Sequence, residues 1–252
     1  MPAVSLLFHD VYESDPRESG FRSPAADRYK LSIPEFEAQL DALAELRIPN
    51  PESRIPAMIT FDDGGVSYYT VAADRLEALG VRAHCFVSTD SIGERGFLTA
   101  KQLRELDARG HIIGTHSASH PTRFSALTRV EMYREWSESR QRLEDILDRA
   151  VIVGSVPGGY FSSAVARAAA EAGLRTLYTS QPTTRSSTLD DCVIIGRFTL
   201  RRGHPPDMAR RFASTPVARC GAWIGWTAKA LVKPVLGASY SRVADWILEA
   251  NR

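Results

Sequence analysis

Ala57-Met58-Ile59-Thr60-Phe61-Asp62-Asp63-Gly64 is a short apolar run that ends abruptly in two carboxylates and a glycine. Residues 57 to 61 read as a buried strand, and Asp-Asp-Gly as the turn that stops it. Upstream, residues 3 to 9 form a first short strand, followed by a polar loop to about residue 30. Ser32-Ile33-Pro34-Glu35 then supplies an N-cap, an early proline and a Glu at N3, opening a helix with Phe36, Leu40, Leu43 and Leu46 on its apolar face. Downstream, a helix runs from about Tyr68 to Gly80, a glycine suited to the left-handed residue after a helix.

The alternation continues with a strand over 83 to 87, a Thr99-capped helix ending at Gly110, and a strand through Ile112 and Ile113. A long helix starts at Thr128, where Glu131 completes a second capping box, and runs to about Arg149. Strand 151–154, helix 162–172, strand 174–179 and strand 192–200 follow, with 182–191 read as a loop. Repeated strand–helix units of this length imply an α/β fold with parallel strands and right-handed crossovers.

Composition sets bounds. The 252 residues fit one large domain as readily as two small ones, and a net charge of +1 provides no global field for nucleic acid. Cys85, Cys192 and Cys220 are odd in number, widely spaced and in apolar surroundings, so they read as reduced structural residues. The N-terminus shows no basic, apolar leader pattern, which makes the cytoplasm the expected location.

The chemistry sits at strand ends. Two adjacent carboxylates are costly unless a cation neutralises one of them. In an extended backbone Asp62 and Asp63 would point opposite ways, leaving one to bind a metal and the other to act as general base on its water. The second cluster is His116-Ser117-Ala118-Ser119-His120, where Pro121 and the serines argue for a loop or single turn rather than a helix. Two imidazoles and a carboxylate from another strand make a facial ligand set with positions left open.

Taken singly, Asp-Asp-Gly is an ordinary turn and His-x-x-x-His a weak signal. Together, a little over fifty residues apart, Thr60-Phe61-Asp62-Asp63-Gly64 and His116-Ser117-Ala118-Ser119-His120 resemble the first two motifs of the polysaccharide deacetylases, the carbohydrate esterases with the NodB homology domain. The resemblance covers roughly residues 3 to 200. It implies Asp62 as catalytic base, Asp63, His116 and His120 as metal ligands, and Ser117 as a hydrogen-bonding support for the histidine loop.

The third family motif, Arg-x-Pro-x-Gly, is similar to Ser155-Val156-Pro157-Gly158-Gly159. Pro157 and Gly159 match, and the resemblance gives the N–H just after the proline, that of Gly158, to the oxyanion. Ser155 replaces the arginine that would orient the base. Either another cation takes that role, with Arg197 and Arg201 as candidate donors, or the base is less finely tuned. The family's closing Leu-x-x-His-Asp pattern is absent after residue 180, yet Leu6-Leu7-Phe8-His9-Asp10 carries it at the start of the chain. This order is similar to the circularly permuted poly-N-acetylglucosamine deacetylases and makes His9 the general acid. His84 and His111 read as structural.

The resemblance thus implies an irregular (β/α)7-type barrel of the NodB-like kind, with the site at the C-terminal strand ends. The implied domains are a deacetylase-like catalytic unit over 1–215 and a helical, basic, Trp-containing extension over 216–252. The implied activity is metal-dependent removal of an N-acetyl group from an amino sugar in a saccharide, glycoconjugate or lipid-linked precursor. Zinc is the first expectation, with cobalt, nickel or iron suited to the same face. A deformylase, a deacetylase of another amide, and a saccharide-binding pseudoenzyme remain as alternatives. The expected partner is an N-acetylated saccharide rather than nucleic acid. Residues 217–252, with Trp223 and Trp226 and the cations Arg219, Lys229, Lys233 and Arg242, offer either a helix packed against the domain or a dimer partner or a peripheral contact with the inner face of a membrane. No oligomeric state follows from the sequence.

Overall fold

The computed structural model describes residues 4–46 and 56–236, with side chains through residue 228. The strand and helix ranges, in chain order, begin with β1 (Val4–Phe8), β2 (Val11–Tyr12), α1 (Pro24–Asp27), β3 (Leu31–Ser32), α2 (Ile33–Ala44) and β4 (Ala57–Phe61). The middle of the chain carries α3 (Ala73–Ala78), β5 (His84–Val87), α4 (Ala100–Ala108), β6 (Ile112–Thr115), α5 (Arg129–Leu147), β7 (Val153–Ser155) and α6 (Ser163–Glu171). The last elements are β8 (Thr176–Tyr178), β9 (Ser186–Leu189), β10 (Cys192–Ile195), β11 (Phe198–Thr199), α7 (Met208–Ser214) and α8 (Pro216–Leu236).

The capping boxes form as their sequences require. Ser32 with Glu35 opens α2, Thr99 with Gln102 opens α4, and Thr128 with Glu131 opens α5. The helix expected from Tyr68 instead begins as a wider π-helical turn, Tyr68–Ala72, before α3. The expected loop over 182–191 contains β9, which pairs antiparallel with β10. Its residues are polar and mostly exposed, so the apolar signal of a buried strand is missing.

The sheet is curled and rich in parallel strands, in the order β11-β1-β4-β5-β6-β7-β8-β10-β9. The expected strand 192–200 breaks at Gly196-Arg197 into two halves with different neighbours. β10 pairs with β8, whereas β11 pairs with β1. One stretch of chain therefore joins the two ends of the parallel order. Gly196 is required there, because a Cβ would lie 2.4 Å from the Gln181 carbonyl oxygen and 2.5 Å from Thr183 Cγ2.

Packing outside the sheet sets the register inside it. Phe8 and Phe61 are register partners on β1 and β4, their rings stacked at 5.4 Å, and both meet Phe36 of α2 edge-on. Burying each phenyl stabilises the fold by about 2–3 kcal/mol. Side chains alternate along a strand, so the next pair, His9 and Asp62, turns to the opposite face. The Asp62 N–H donates to the Phe8 carbonyl at 3.1 Å, which keeps the ladder in step to that point.

Candidate active site

Asp62 is 4% exposed at the C-terminal end of β4, and its charge is met by a side chain from the far end of the chain. Arg197 donates from Nη1 to Asp62 Oδ1 at 2.7 Å and from Nη2 to Oδ2 at 2.8 Å, a bidentate pair with both residues buried. Ser155 Oγ donates to Asp62 Oδ2 at 3.0 Å and accepts from Arg197 Nη2 at 2.6 Å. The guanidinium is fixed further by Thr60 Oγ1, by the Thr179 carbonyl, and by the faces of Phe86 and Tyr178. Burial alone would raise the Asp62 carboxyl; Arg197 and then His116 outweigh it and hold the group below its ordinary value.

Between the two candidate donors, the geometry selects Arg197. Arg201 lies on the exposed side and donates to His204 instead. Arg197 becomes the guanidinium partner because the strand breaks at Gly196 and carries residue 197 to where β10 gives way to β11.

Asp63 corrects the extended-backbone argument. Its φ is +78°, followed by Gly64 at +81°, so the chain leaves the strand in a left-handed turn rather than continuing its alternation. Aspartate tolerates this region better than most residues. Both carboxylates consequently face His116, whose Nε2 is 3.9 Å from Asp62 Oδ2 and 3.4 Å from Asp63 Oδ1. They are distinguished by their partners rather than by opposite directions.

His116 follows β6 directly, and its Nδ1 lies 2.9 Å from the Ser155 carbonyl oxygen. A carbonyl can only accept, so Nδ1 carries the hydrogen and Nε2 presents its lone pair to the site. Ser117 and His120 both take left-handed backbone, with φ of +67° and +52°. The Ser117 hydroxyl accepts from the His120 N–H at 3.2 Å, while its own N–H donates to Thr115 Oγ1 at 3.0 Å. Glu135 of α5 ties the same loop down by accepting from the N–H groups of Ala118 and Ser119 and from the Ser119 hydroxyl.

His120 Nε2 is 3.6 Å from Asp63 Oδ1, and the donor atoms of Asp63, His116 and His120 all lie within 4.8 Å of one another. Metal–ligand bonds of about 2.1 Å in a tetrahedral arrangement place donors roughly 3.4 Å apart, so this set fits a divalent cation of the zinc type. Electrostatics agree with that division of roles. Burial opposes the Asp63 charge, but His116, His9 and His120 hold the carboxyl far below its usual range. Burial likewise works against protonated His116, and the two aspartates reverse it; His120 is lowered by burial and by His116.

His9 follows Phe8, the last residue of β1 in register with β4, and is close enough for its charge to help keep both aspartates ionised. Its ring lies 5.0 Å from that of Tyr29, and its Nδ1 is buried without a hydrogen-bond partner among the described residues. Pro157 and Gly158 form a tight turn after β7, with Gly158 exposed at φ +60°. His84 is buried among Phe86 and Tyr178, where burial lowers it to about 4, and His111 bonds Tyr68 and Glu77. Cys85 and Cys192 are free and buried, but Cys220 is exposed on α8, so the structural role expected of all three holds for two. A cleft of about 500 Å³ beside α6 is separate from this cluster; there Arg129 pairs with Glu171 and Arg167 with Asp190.

The sequence profile for polysaccharide deacetylases matches residues 50–177, a span that includes both the aspartate and histidine motifs. The chain belongs to the polysaccharide deacetylase family. The Bacillus subtilis protein YxkH, named for a polysaccharide deacetylase, is 28% identical over 125 residues, which is 50% of this chain and 44% of that protein. A peptidoglycan-N-acetylglucosamine deacetylase of Bacillus cereus is 30% identical over 140 residues, 52% of this chain and 58% of that one. The chain thus spans about half the length of the curated relatives it matches. Among solved structures, a Streptococcus pyogenes deacetylase in complex with acetate superposes with a TM-score of 0.69 at 18% identity, covering 85% of this chain and 99% of the other. That likeness concerns the fold, the curled NodB-like sheet.

Proposed function

We propose that this chain is a metal-dependent hydrolase that removes the N-acetyl group from an amino sugar of a saccharide or glycoconjugate. The observation that carries the reading is the division of the aspartate pair: Asp63 grouped with two imidazoles, Asp62 held ionised by Arg197. A divalent metal held by Asp63, His116 and His120 would supply a polarised carbonyl and a more acidic water. Arg197 and Ser155 occupy three of the four or so lone-pair positions of the Asp62 carboxylate, leaving one on Oδ1 to accept a proton from that water. In this reading His9 donates a proton to the departing amine, and the Gly158 N–H is the donor for the developing oxyanion. Water and the acetamide give acetate and the free amino sugar.

The pseudoenzyme alternative drew its support from the missing motif-three arginine, and Arg197 supplies a guanidinium to the same carboxylate. The test is acetate release from chito-oligosaccharides and smaller N-acetylhexosamine glycosides by the zinc-loaded chain. Asp62→Asn is expected to lower the rate by roughly 10²–10⁴-fold while still binding one zinc. Full zinc occupancy with no acetate from any acetamido sugar would overturn the reading. Formate release from N-formyl sugars would redirect it to a deformylase.

We further propose that α8 is a peripheral contact with an anionic lipid surface. Ala218 and Ala222 pack against the core, whereas Val217, Trp223, Ile224 and Trp226 remain exposed. No helix among the described residues is long and apolar enough to cross a membrane.

A further inference from the structure

Two arginines at the C-terminal ends of the strands are held over tyrosine rings and make no ion pair among the described residues. Arg123, three residues beyond His120, places its guanidinium 5.7 Å from the centre of the Tyr160 ring. Tyr160 in turn packs over the Pro157–Gly159 turn, its ring 3.2 Å from where a Gly158 Cβ would stand, with the Thr122 carbonyl 3.8 Å from the same point. Arg202, just past β11, lies 5.1 Å from the centre of the Tyr12 ring, and its N–H donates to the Arg28 carbonyl. Tyr12 is three residues beyond His9.

The strand order separates the two pairs across the site. One belongs to the loops after β6 and β7 and the other to the segments that follow β1 and β11, three to five strands away around the curled sheet. Stacking on a ring orients a guanidinium while leaving its N–H groups able to donate outward. Both arginines are exposed. Two acids of the neighbouring segments are already engaged: Glu135 by the histidine loop, and Glu18 by the backbone N–H groups of Glu13, Ser14 and Asp15. The ion pair inside the site, Arg197 with Asp62, is internally neutral.

We infer that the mouth of this site selects an anionic saccharide, one carrying a phosphate or carboxylate close to its acetamido group, with Arg123 and Arg202 as the anion-binding residues. The inference rests on the amino-sugar reading above and narrows its substrate class. Neutral polymeric N-acetylhexosamine would leave both guanidinium groups without a counter-ion.

Equilibrium binding separates the inference from the reaction. The full-length, zinc-loaded chain is titrated with N-acetylglucosamine 1-phosphate, with a disaccharide of N-acetylglucosamine and a uronic acid, and with neutral methyl N-acetylglucosaminide. At low salt at least one anionic probe is expected to bind about tenfold tighter than the neutral one, with the advantage shrinking as salt rises. In the doubly substituted chain, Arg123→Gln with Arg202→Gln, that ratio is expected to fall towards one; Arg134→Gln, on the exposed face of α5, should keep it. Which probe gains identifies phosphate or carboxylate as the anion. Equal binding of all three probes, or an advantage that survives the double substitution because the anion sits on the metal, would overturn the inference. Selective binding without acetate release would instead overturn the proposed reaction and leave this inference standing.

Discussion

Asp62 carries a full charge in a buried position because Arg197 reaches it through two hydrogen bonds, and this pairing makes the residue most sensitive to a distant change. Removing the guanidinium leaves a buried carboxylate unpaired, which costs about 3–5 kcal/mol. Arg197→Met should therefore lower the stability measured by urea unfolding by that order, and Arg197→Lys by less, since it keeps the charge but loses the fork. The pH dependence has a definite sign. In the wild type the Asp62 carboxyl is held below its ordinary value, so its contribution to stability is present above the unfolded value near 4 and lost as pH falls. In Arg197→Lys the opposing effect of burial is less well balanced, so the carboxyl moves up. The acid limb of kcat/KM for acetate release should move to higher pH; an unmoved limb would assign that limb to another group.

At the scale of elements, the closing segment Cys192–Thr199 and the loop before α2 bring the site together. Gly196→Ala would push a methyl group against the backbone of Gln181 and Thr183, neither of which can swing away. A loss of about 2–3 kcal/mol is expected, together with weakened activity, because the same kink aims Arg197. Lys30 holds the other element. Its Nζ, on a residue 1% exposed, donates to the carbonyls of Pro16, Ser19 and Phe21 at 2.6–2.7 Å, pinning a loop whose Phe21 ring lies tilted 4.7 Å from that of His120. Lys30→Met strands three carbonyls and is expected to cost about 2–4 kcal/mol by thermal or urea unfolding. It should also open the 13–22 loop to limited proteolysis; unchanged protease resistance would refute the pinning role. These two elements also mark the limit of what the sequence makes legible. Parallel strands, two capping boxes with the Thr99 cap, and the aspartate and histidine motifs follow local patterns that residues a few positions apart establish. Arg197 could only be put forward alongside Arg201, because its role depends on a strand changing neighbours, which no local period encodes. Lys30 gives no signal at all, since a single lysine in a polar loop looks like any solvated one. The π-helical turn at Tyr68 and the left-handed turn at Asp63 are hidden for the same reason: tertiary contacts, not propensity, select them.

At the scale of the whole molecule, a net charge of +1 gives no long-range attraction to an anionic surface, so any lipid contact must come from a local arrangement on α8. The helix is two-sided: Ala218 and Ala222 face the core, and Val217 and Ile224 are 78% and 58% exposed on the other side. Trp223 and Trp226 are the side chains suited to the headgroup region. One of the expected cations is spent elsewhere, because Arg219 donates to the Phe212 and Ala213 carbonyls at the end of α7. The apolar and aromatic face must then supply most of the affinity. Expelling one indole and one branched aliphatic side chain from water contributes a few kcal/mol, enough for reversible rather than permanent attachment. The full chain is expected to co-sediment with phosphatidylcholine vesicles weakly and with phosphatidylglycerol-containing vesicles more strongly. Trp223→Ser combined with Ile224→Ser should abolish both while leaving the catalytic cluster folded, as judged by zinc stoichiometry. Equal recovery in the supernatant with and without vesicles would refute the contact. A sedimentation coefficient that falls to the monomer value in the double variant would show that a second copy of the chain covers this face instead.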